Sequence, residues 1–363
     1  MTVERLWVER YRSLVDLRLE LHPVTVIQGE NATGKTNLYR ALYLLSRGAA
    51  GNLARTLLSE GGMPSALSAG DVPTRGRAAP VRMRLGAQID DLSYELALGL
   101  PSVDPKTTPF SLDAEIKEEA AWIGRKRTRH SELLDRAGAT ATARDVDGAL
   151  VTFATVIDRF EPALAQLGEP AKFPELYELR ERMRRWRFYH QFPTGSDAPA
   201  RSPRSGVRTP VLADDGHDLA AALATITDMG SGPMLDDAIG DAFPGTHLMI
   251  TAERGVFALA LATPGLRRPM EAHELSDGTL RYLSLVAALL SPRPPELLVL
   301  NEPETSLHGS LIAPLARLIG EAGQHSQIVV TTHSSGLAGA VSAASGHPPI
   351  VLRRTNGSTI AGD

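Results

Sequence analysis

Eight consecutive residues, Gly29-Glu30-Asn31-Ala32-Thr33-Gly34-Lys35-Thr36, constrain this chain more than any other feature in it. They fit G-x-x-x-x-G-K-[ST] in full, and their flanks are the ones that pattern requires. Before them PVTVIQ (23–28) is an apolar, β-branched run that reads as a buried parallel strand. After them LYRALYLLS carries apolar residues at helical spacing. Strand, glycine loop and helix together make a phosphate cradle. Gly29 and Gly34 let the backbone curl so that successive N–H groups point inward, and the helix beginning near Lys35 adds its positive dipole end. In such a loop the Lys35 ammonium reaches the β- and γ-phosphates and the Thr36 hydroxyl ligates Mg²⁺.

Three later segments carry polar groups where a phosphate loop could use them. ELLVLNEPE (296–304) is a buried strand, Leu297 to Leu300, ending in Asn301 and Glu302. A carboxylate at such a strand end can polarise a water against a γ-phosphate. QIVVTTHSS (327–335) is a second buried strand, able to lie beside the others, and its end presents His333. There a histidine can sense the γ-phosphate or orient the attacking water. In LSDGTLR (275–281), Ser276 and Gly278 immediately precede a helix, and a hydroxyl with backbone N–H groups at a helix start is an anion site. Taken singly, each has a plainer reading as a polar strand end, a structural histidine or an ordinary N-cap. The glycine loop turns the balance toward chemistry.

Composition narrows the class. The 363 residues include no cysteine, which excludes disulfides, cysteine-ligated zinc, iron–sulfur clusters and a thiol nucleophile. That fits a reducing, cytoplasmic setting. No segment approaches 18 uninterrupted apolar residues, so no transmembrane helix is expected, and the charged start MTVERLWVER does not read as a secretory signal. The net charge of −4 argues against coating nucleic acid by bulk charge. Local basic clusters remain, at Arg125–Arg129 and Arg180–Arg187, with Arg201, Arg204 and Arg208 in a Pro/Ser/Gly/Arg loop at 193–210. They read either as a DNA surface or as a solvated helix face and loop. Along the chain, 3–21 reads as two strands around Arg12-Ser13, 48–78 as a loop, 80–100 as two antiparallel strands with FSLDAEIKEE from 110 as a candidate third, 115–188 as mixed and partly helical, and 217–242 as two helices split at MGSGPM.

These segments, in this order, resemble the ATP-binding-cassette type of ATPase head, and more narrowly the RecF/SMC/OLD-like branch of bacterial AAA-family ATPases. Arg12-Ser13-Leu14 resembles the start of that branch, GENATGKTN its Walker A and ELSDGTLRYLSL its signature. VLNEPETSLH resembles its Walker B and D-loop, and TTHSS its switch histidine. The resemblance implies an α/β P-loop NTPase with a mixed β-sheet core, N-terminal antiparallel strands and an inserted, partly helical lobe. It divides the chain into a core of 1–100 and 245–363 around a lobe at 101–244. It implies ATP and Mg²⁺ as cofactors, with the whole run Gly29, Glu30, Asn31, Ala32, Thr33, Gly34, Lys35, Thr36 and Asn37 around the phosphates and Arg12 reaching one of them. Glu302 would be the general base and His333 the γ-phosphate switch. Two heads would close around ATP, with Ser276 and Gly278 of one capping the γ-phosphate held by the other and Glu304 to His308 along the interface. A Q-loop glutamine is also implied, with Gln88 and Gln191 as candidates.

Three departures stand out. Ala32 replaces the commoner glycine and Asp277 a glycine of the signature. Asn301 occupies the place of the Walker B aspartate, where an amide can meet a Mg²⁺-bound water but brings no charge, so slow turnover is expected. The 239 residues between Thr36 and Ser276 are too few for a long coiled coil and carry no heptads, and the 30 after His333 leave no room for a TOPRIM nuclease domain. The resulting expectation is an ATP-hydrolysing head that drives a separate effector, a nuclease among the candidates, or a DNA transaction in repair or phage defence. The alternative is a regulatory ATP-binding scaffold with little hydrolysis. A transporter ATPase is a weaker third reading.

Overall fold

The computed structural model describes residues 2–68, 82–101, 109–154, 157–167 and 169–362. The chain divides into two units. One gathers Met1–His22, Gly29–Trp186 and Ile350–Asp363, and the other Pro23–Gln28 and Arg187–Pro349.

The first unit is built on an eight-stranded antiparallel sheet. In spatial order its strands are Leu14–Glu20, Val3–Tyr11, Met83–Ile89, Leu92–Gly99, Glu115–Ile123, Glu132–Ala137, Thr140–Arg144 and Leu150–Ala154. The two expected N-terminal strands pair in register Leu6↔Leu19 and Trp7↔Arg18, and the expected pair at 80–100 follows as Ala87↔Tyr94. The further strand expected from 110 is Glu115–Ile123. Residues 132–154, read from sequence as part of a mixed, partly helical stretch, are three more strands that extend the same sheet. They are short, five or six residues each, so the two-residue period has little length in which to show. Helix comes later, at Pro174–Arg184, with proline in its first turn. Of the loop expected at 48–78, residues 69–78 lie outside the described residues. The rest includes the end of helix Lys35–Ala49 and the short helices Leu53–Ser59 and Gly62–Ala66.

Helix Lys35–Ala49 buries Leu38, Leu42 and Leu45, spaced so that they share one face. Each such leucine contributes about 1.5–3 kcal/mol when fully buried. Deeper in the unit Glu119 and Arg136 form an ion pair whose side chains are wholly inaccessible. The carboxylate also accepts from the Tyr94 hydroxyl and from the backbone N–H groups of Ala163 and Leu164. Arg136 donates to the carbonyls of Gly138, Asp158 and Glu161. Burial pushes the Glu119 carboxyl up, against the pull of those donors.

In the second unit four parallel strands lie in the order Arg187–Tyr189, Leu297–Asn301, Gln327–Thr332 and Val24–Gly29, the last as far as Gln28. Strand Gln327–Thr332 therefore sits between the other two strands that were expected to carry polar ends. The register pairs Asn301 with Thr331 and Thr331 with Ile27, so the three carboxyl ends are level. Ligands of open parallel sheets bind outside those ends. Helices Asp277–Leu289, Ile312–Ala322 and Ser335–Ser345 pack with the sheet in a core that includes Leu283, Val286, Leu300, Leu315, Ile319, Ile328 and Leu337. The two helices expected at 217–242 are Leu219–Ile226 and Gly232–Ala242, joined through Gly230 at φ 94°. A separate antiparallel sheet holds Arg204–Ser205, Val256–Ala262 and His247–Glu253, with Met270–Glu271 pairing the middle strand. Among the described residues no helix is long and apolar enough to cross a membrane.

Candidate nucleotide site

The glycine loop of the first unit has the form its sequence demands. Gly34 is the N-cap of helix Lys35–Ala49 at φ 105°, and no side chain caps that helix start. The first N–H groups at such a helix start can bind an anion. A Cβ at Gly34 would run into the Thr359 hydroxyl and come within 3.0 Å of Ser13 Oγ. One at Gly29 would lie 2.5 Å from Thr33 Oγ1 and 2.9 Å from the Leu352 carbonyl. Both positions therefore require glycine. Ala32 stands at φ 64°, in the left-handed region, which explains why glycine is the commoner residue there. Lys35 is buried, and its Nζ donates to the carbonyls of Gly29 (2.6 Å) and Glu30 (2.8 Å). Thr33 Oγ1 donates to the Glu30 carbonyl at 2.8 Å. Glu30 and Asn31 are exposed at the tip, and Thr36 is half-buried.

Neighbouring polar groups brace the loop. Thr359 Oγ1 donates to the Thr33 carbonyl, and its backbone N–H donates to the Ser13 carbonyl, both at 2.8 Å. Asn37 Nδ2 donates to Ser13 Oγ at 3.0 Å. Sequence reasoning missed Thr359, because a threonine in a short terminal hairpin carries no signal. Arg12, expected to reach a phosphate, pairs with Glu60 at 2.9 Å, where the Tyr11 hydroxyl also donates. Gln88 lies within strand Met83–Ile89 and donates to Glu4 and to the Asp90 carbonyl.

The second unit brings Asn301, Glu302, Glu304 and His333 together. Asn301 is buried, and both ends of its amide are engaged. Oδ1 accepts from Thr331 Oγ1 at 2.7 Å, and Nδ2 lies 2.6 Å from His190 Nδ1. Glu302 adopts φ 46°, a left-handed conformation that turns the chain out of the strand and marks a strained, over-determined position. His333 Nδ1 lies 3.5 Å from Glu302 Oε1 and 3.5 Å from Glu304 Oε1. Glu304 is buried, and its Oε1 accepts from the Thr332 hydroxyl. Gln191 is exposed, beside His190. His190 was not legible as a site residue, since its partner is 111 positions away.

Ser276 caps helix Asp277–Leu289, accepting from the Thr279 N–H at 3.1 Å. Gly278 packs so closely that a Cβ would lie 2.7 Å from the Ser306 carbonyl. Arg281, one turn further on, donates to the carbonyls of Glu302 (3.0 Å) and Pro303 (3.3 Å). Burial lowers its pKa, while the Glu304 and Glu302 carboxylates work to raise it. Arg201, counted from sequence as a candidate DNA contact, grips this segment: it donates to the Leu275 carbonyl at 2.7 Å and to Asp277 Oδ1 at 2.6 Å.

Other arginines of the basic clusters also have acidic partners nearby. Arg125 pairs with Glu20, Arg127 with Glu132 and Asp135, Arg180 and Arg184 with Glu181, and Arg208 with Asp228. Arg182 is buried against Asp90 and Glu178. Among the described residues no group of three His, Cys, Asp or Glu could hold a metal ion. A Mg²⁺ held by one hydroxyl, phosphate oxygens and waters needs no such cage, and Thr36 beside the cradle fits that donor set.

The chain is a P-loop, AAA-type domain with the fold of an ABC-type ATPase head. Residues 24–339 match the family described as "AAA domain, putative AbiEii toxin, Type IV TA system", and the chain belongs to it. It is similar in fold to an Smc head bound to the C-winged helix domain of ScpA, with TM-score 0.54 and 12% identity over 100% of this chain and 98% of that one. It is similar as well to an Smc head domain with an extended coiled coil bound to the C-terminal domain of ScpA, derived from Pyrococcus furiosus. There the TM-score is 0.52 and the identity 11%, over 99% and 95% of the two chains. No curated protein matches the sequence.

Proposed function

We propose that this chain binds Mg²⁺-ATP on the loop Gly29–Thr36, hydrolyses it slowly, and uses ATP to close two copies into a dimer that gates a separate effector protein. The observation that carries the reading is the cradle: two glycines that admit no side chain, at the start of a helix with no side-chain cap. Lys35 exchanges its two loop carbonyls for β- and γ-phosphate oxygens. Thr36 would hold the metal, which when bound would supply charge neutralisation for the phosphates. Glu302 takes the proton of the attacking water, and His333 senses the γ-phosphate. Ser276 and Gly278 cap the nucleotide of the second copy. Asn301 supplies no charge, and its amide is committed to His190 and Thr331, which supports slow turnover. The local pairing of the arginine clusters favours a protein effector over DNA. The family's description, "putative AbiEii toxin, Type IV TA system", is compatible with such an output.

The test is ATP turnover and solution mass, with and without Mg²⁺-ATP, for the native chain, Glu302→Gln and Asn301→Asp. Glu302→Gln is expected to lower kcat by about 10²–10⁴-fold, to retain ATP and to be dimeric in its presence. Asn301→Asp is expected to raise kcat. A chain that retains no ATP, or stays monomeric with ATP in the Glu302→Gln form, overturns the proposal. The second reading, a scaffold with little hydrolysis, is favoured by Asn301 alone. It predicts native turnover no greater than that of Glu302→Gln.

A further inference from the structure

The structure assigns Glu304 as a positioning residue for His333: a buried carboxylate that, with Glu302, fixes the Nδ1 side of the imidazole and aims Nε2 at the substrate. The inference rests on the function proposed above and deepens it, because the sequence placed Glu304 only along a dimer interface. Within the second unit Glu304 is more than nine-tenths buried. It lies two residues beyond Glu302, on a chain turned by the left-handed conformation of Glu302. The Thr332 hydroxyl donates to its Oε1, and Thr332 immediately precedes His333. The same oxygen faces His333 Nδ1 at 3.5 Å, as far as Glu302 Oε1 does. Its Oε2 is buried with no hydrogen-bond partner. A buried carboxylate oxygen without a donor is costly. A small turn of the imidazole would shorten the contact, and catalytic contacts commonly tighten only once substrate binds.

The chemistry follows from the two ring nitrogens. With Nδ1–H directed to carboxylate, the tautomer and ring orientation are set by that hydrogen bond, and Nε2 is the nitrogen left for a phosphate or a water. Two carboxylates with a shared view of Nδ1 fix the ring better than one, because Glu302 must also serve the water. Glu304 itself is held by Thr332, so His333 is oriented from the strand it terminates. A misplacement of about 1 Å in a reacting group can cost about 10²-fold in rate, which sets the scale expected for losing Glu304.

The experiment uses the full chain with Mg²⁺-ATP and compares native protein, Glu304→Gln, Glu304→Asp, His333→Asn and the double variant Glu304→Gln/His333→Asn. Glu304→Gln keeps an acceptor for Thr332. It is expected to lower kcat by about 10–100-fold with KM for ATP changed by less than about 2-fold. Glu304→Asp should recover part of the rate, and the double variant should be little slower than His333→Asn alone. Side-chain ¹⁵N spectra without nucleotide give a readout independent of turnover: Nδ1 of His333 should carry the proton in native protein and share it with Nε2 in Glu304→Gln. Native turnover in Glu304→Gln, effects that multiply in the double variant, or an unchanged tautomer would each overturn the assignment. No turnover in the native chain would refute the hydrolase reading instead, and the tautomer measurement would still decide the assignment.

Discussion

The two units carry their candidate site residues by opposite means. In the first, the cradle is one continuous stretch: Gly29 to Thr36 fold on themselves, Lys35 bonds the carbonyls five and six residues earlier, and the glycines are required by contacts within a few ångströms. In the second, Asn301, Glu302, Glu304 and His333 become neighbours only because two parallel strands run in register. Local chemistry tolerates rearrangement elsewhere but not a side chain at Gly29 or Gly34. A site built on register tolerates many substitutions in the strands, provided they remain apolar and level.

That contrast can be broken in three places. The largest effect is expected at the sealed pair Glu119–Arg136 of the first unit. Glu119→Ala leaves Arg136 charged and buried, which costs about 3–5 kcal/mol. Denaturant unfolding followed by the fluorescence of Trp7, Trp122 and Trp186, all in the first unit, should show it. Unchanged unfolding would mean that the pair is dispensable. The loop comes next. Gly34→Ala puts a side chain at φ 105°, where the conformation alone costs about 1–2 kcal/mol, and adds the collision with Thr359. ATP affinity measured by calorimetry should fall at least about 10-fold. Ala32→Gly relieves φ 64° and should leave affinity equal or better, with stability changed by less than about 1 kcal/mol. Equal behaviour of the two variants would refute the account of the loop.

The smallest effect belongs to the second unit's surface. Arg268 donates to both oxygens of Glu274, and this holds the carboxyl at about 2. A carboxyl lowered in the folded state stabilises above its ordinary value of 4.5 and loses that contribution as pH falls toward 2. The pair is exposed and screened. Glu274→Gln should therefore shift Tm slightly at pH 7, progressively less as the pH is lowered, and not at all in high salt.

Legibility in the sequence follows the same division. The cradle could be read because its eight residues are contiguous and each is there for a stated reason. The ends of the parallel strands could be read because an apolar run that stops at a polar residue is visible without knowing its partner. Thr359, His190 and Arg281 could not, since each matters only through a contact made across many residues of chain. Arg201 is a like case: in a basic loop it reads as a surface charge, and only the fold reveals the Asp277 carboxylate and the carbonyls it grips. The three strands at 132–154 were hidden by their length, five or six residues each being short for the alternation that marked the earlier pairs.

One helix has a mechanical consequence. Gly278 abuts the Ser306 carbonyl, and Arg281, a turn later, holds the carbonyls of Glu302 and Pro303. The signature segment and the acid-bearing loop are thus meshed like a cam and its follower. Whatever rotates helix Asp277–Leu289 must drag the Glu302 backbone with it, so the start of that helix and the Glu302 carboxylate share one degree of freedom.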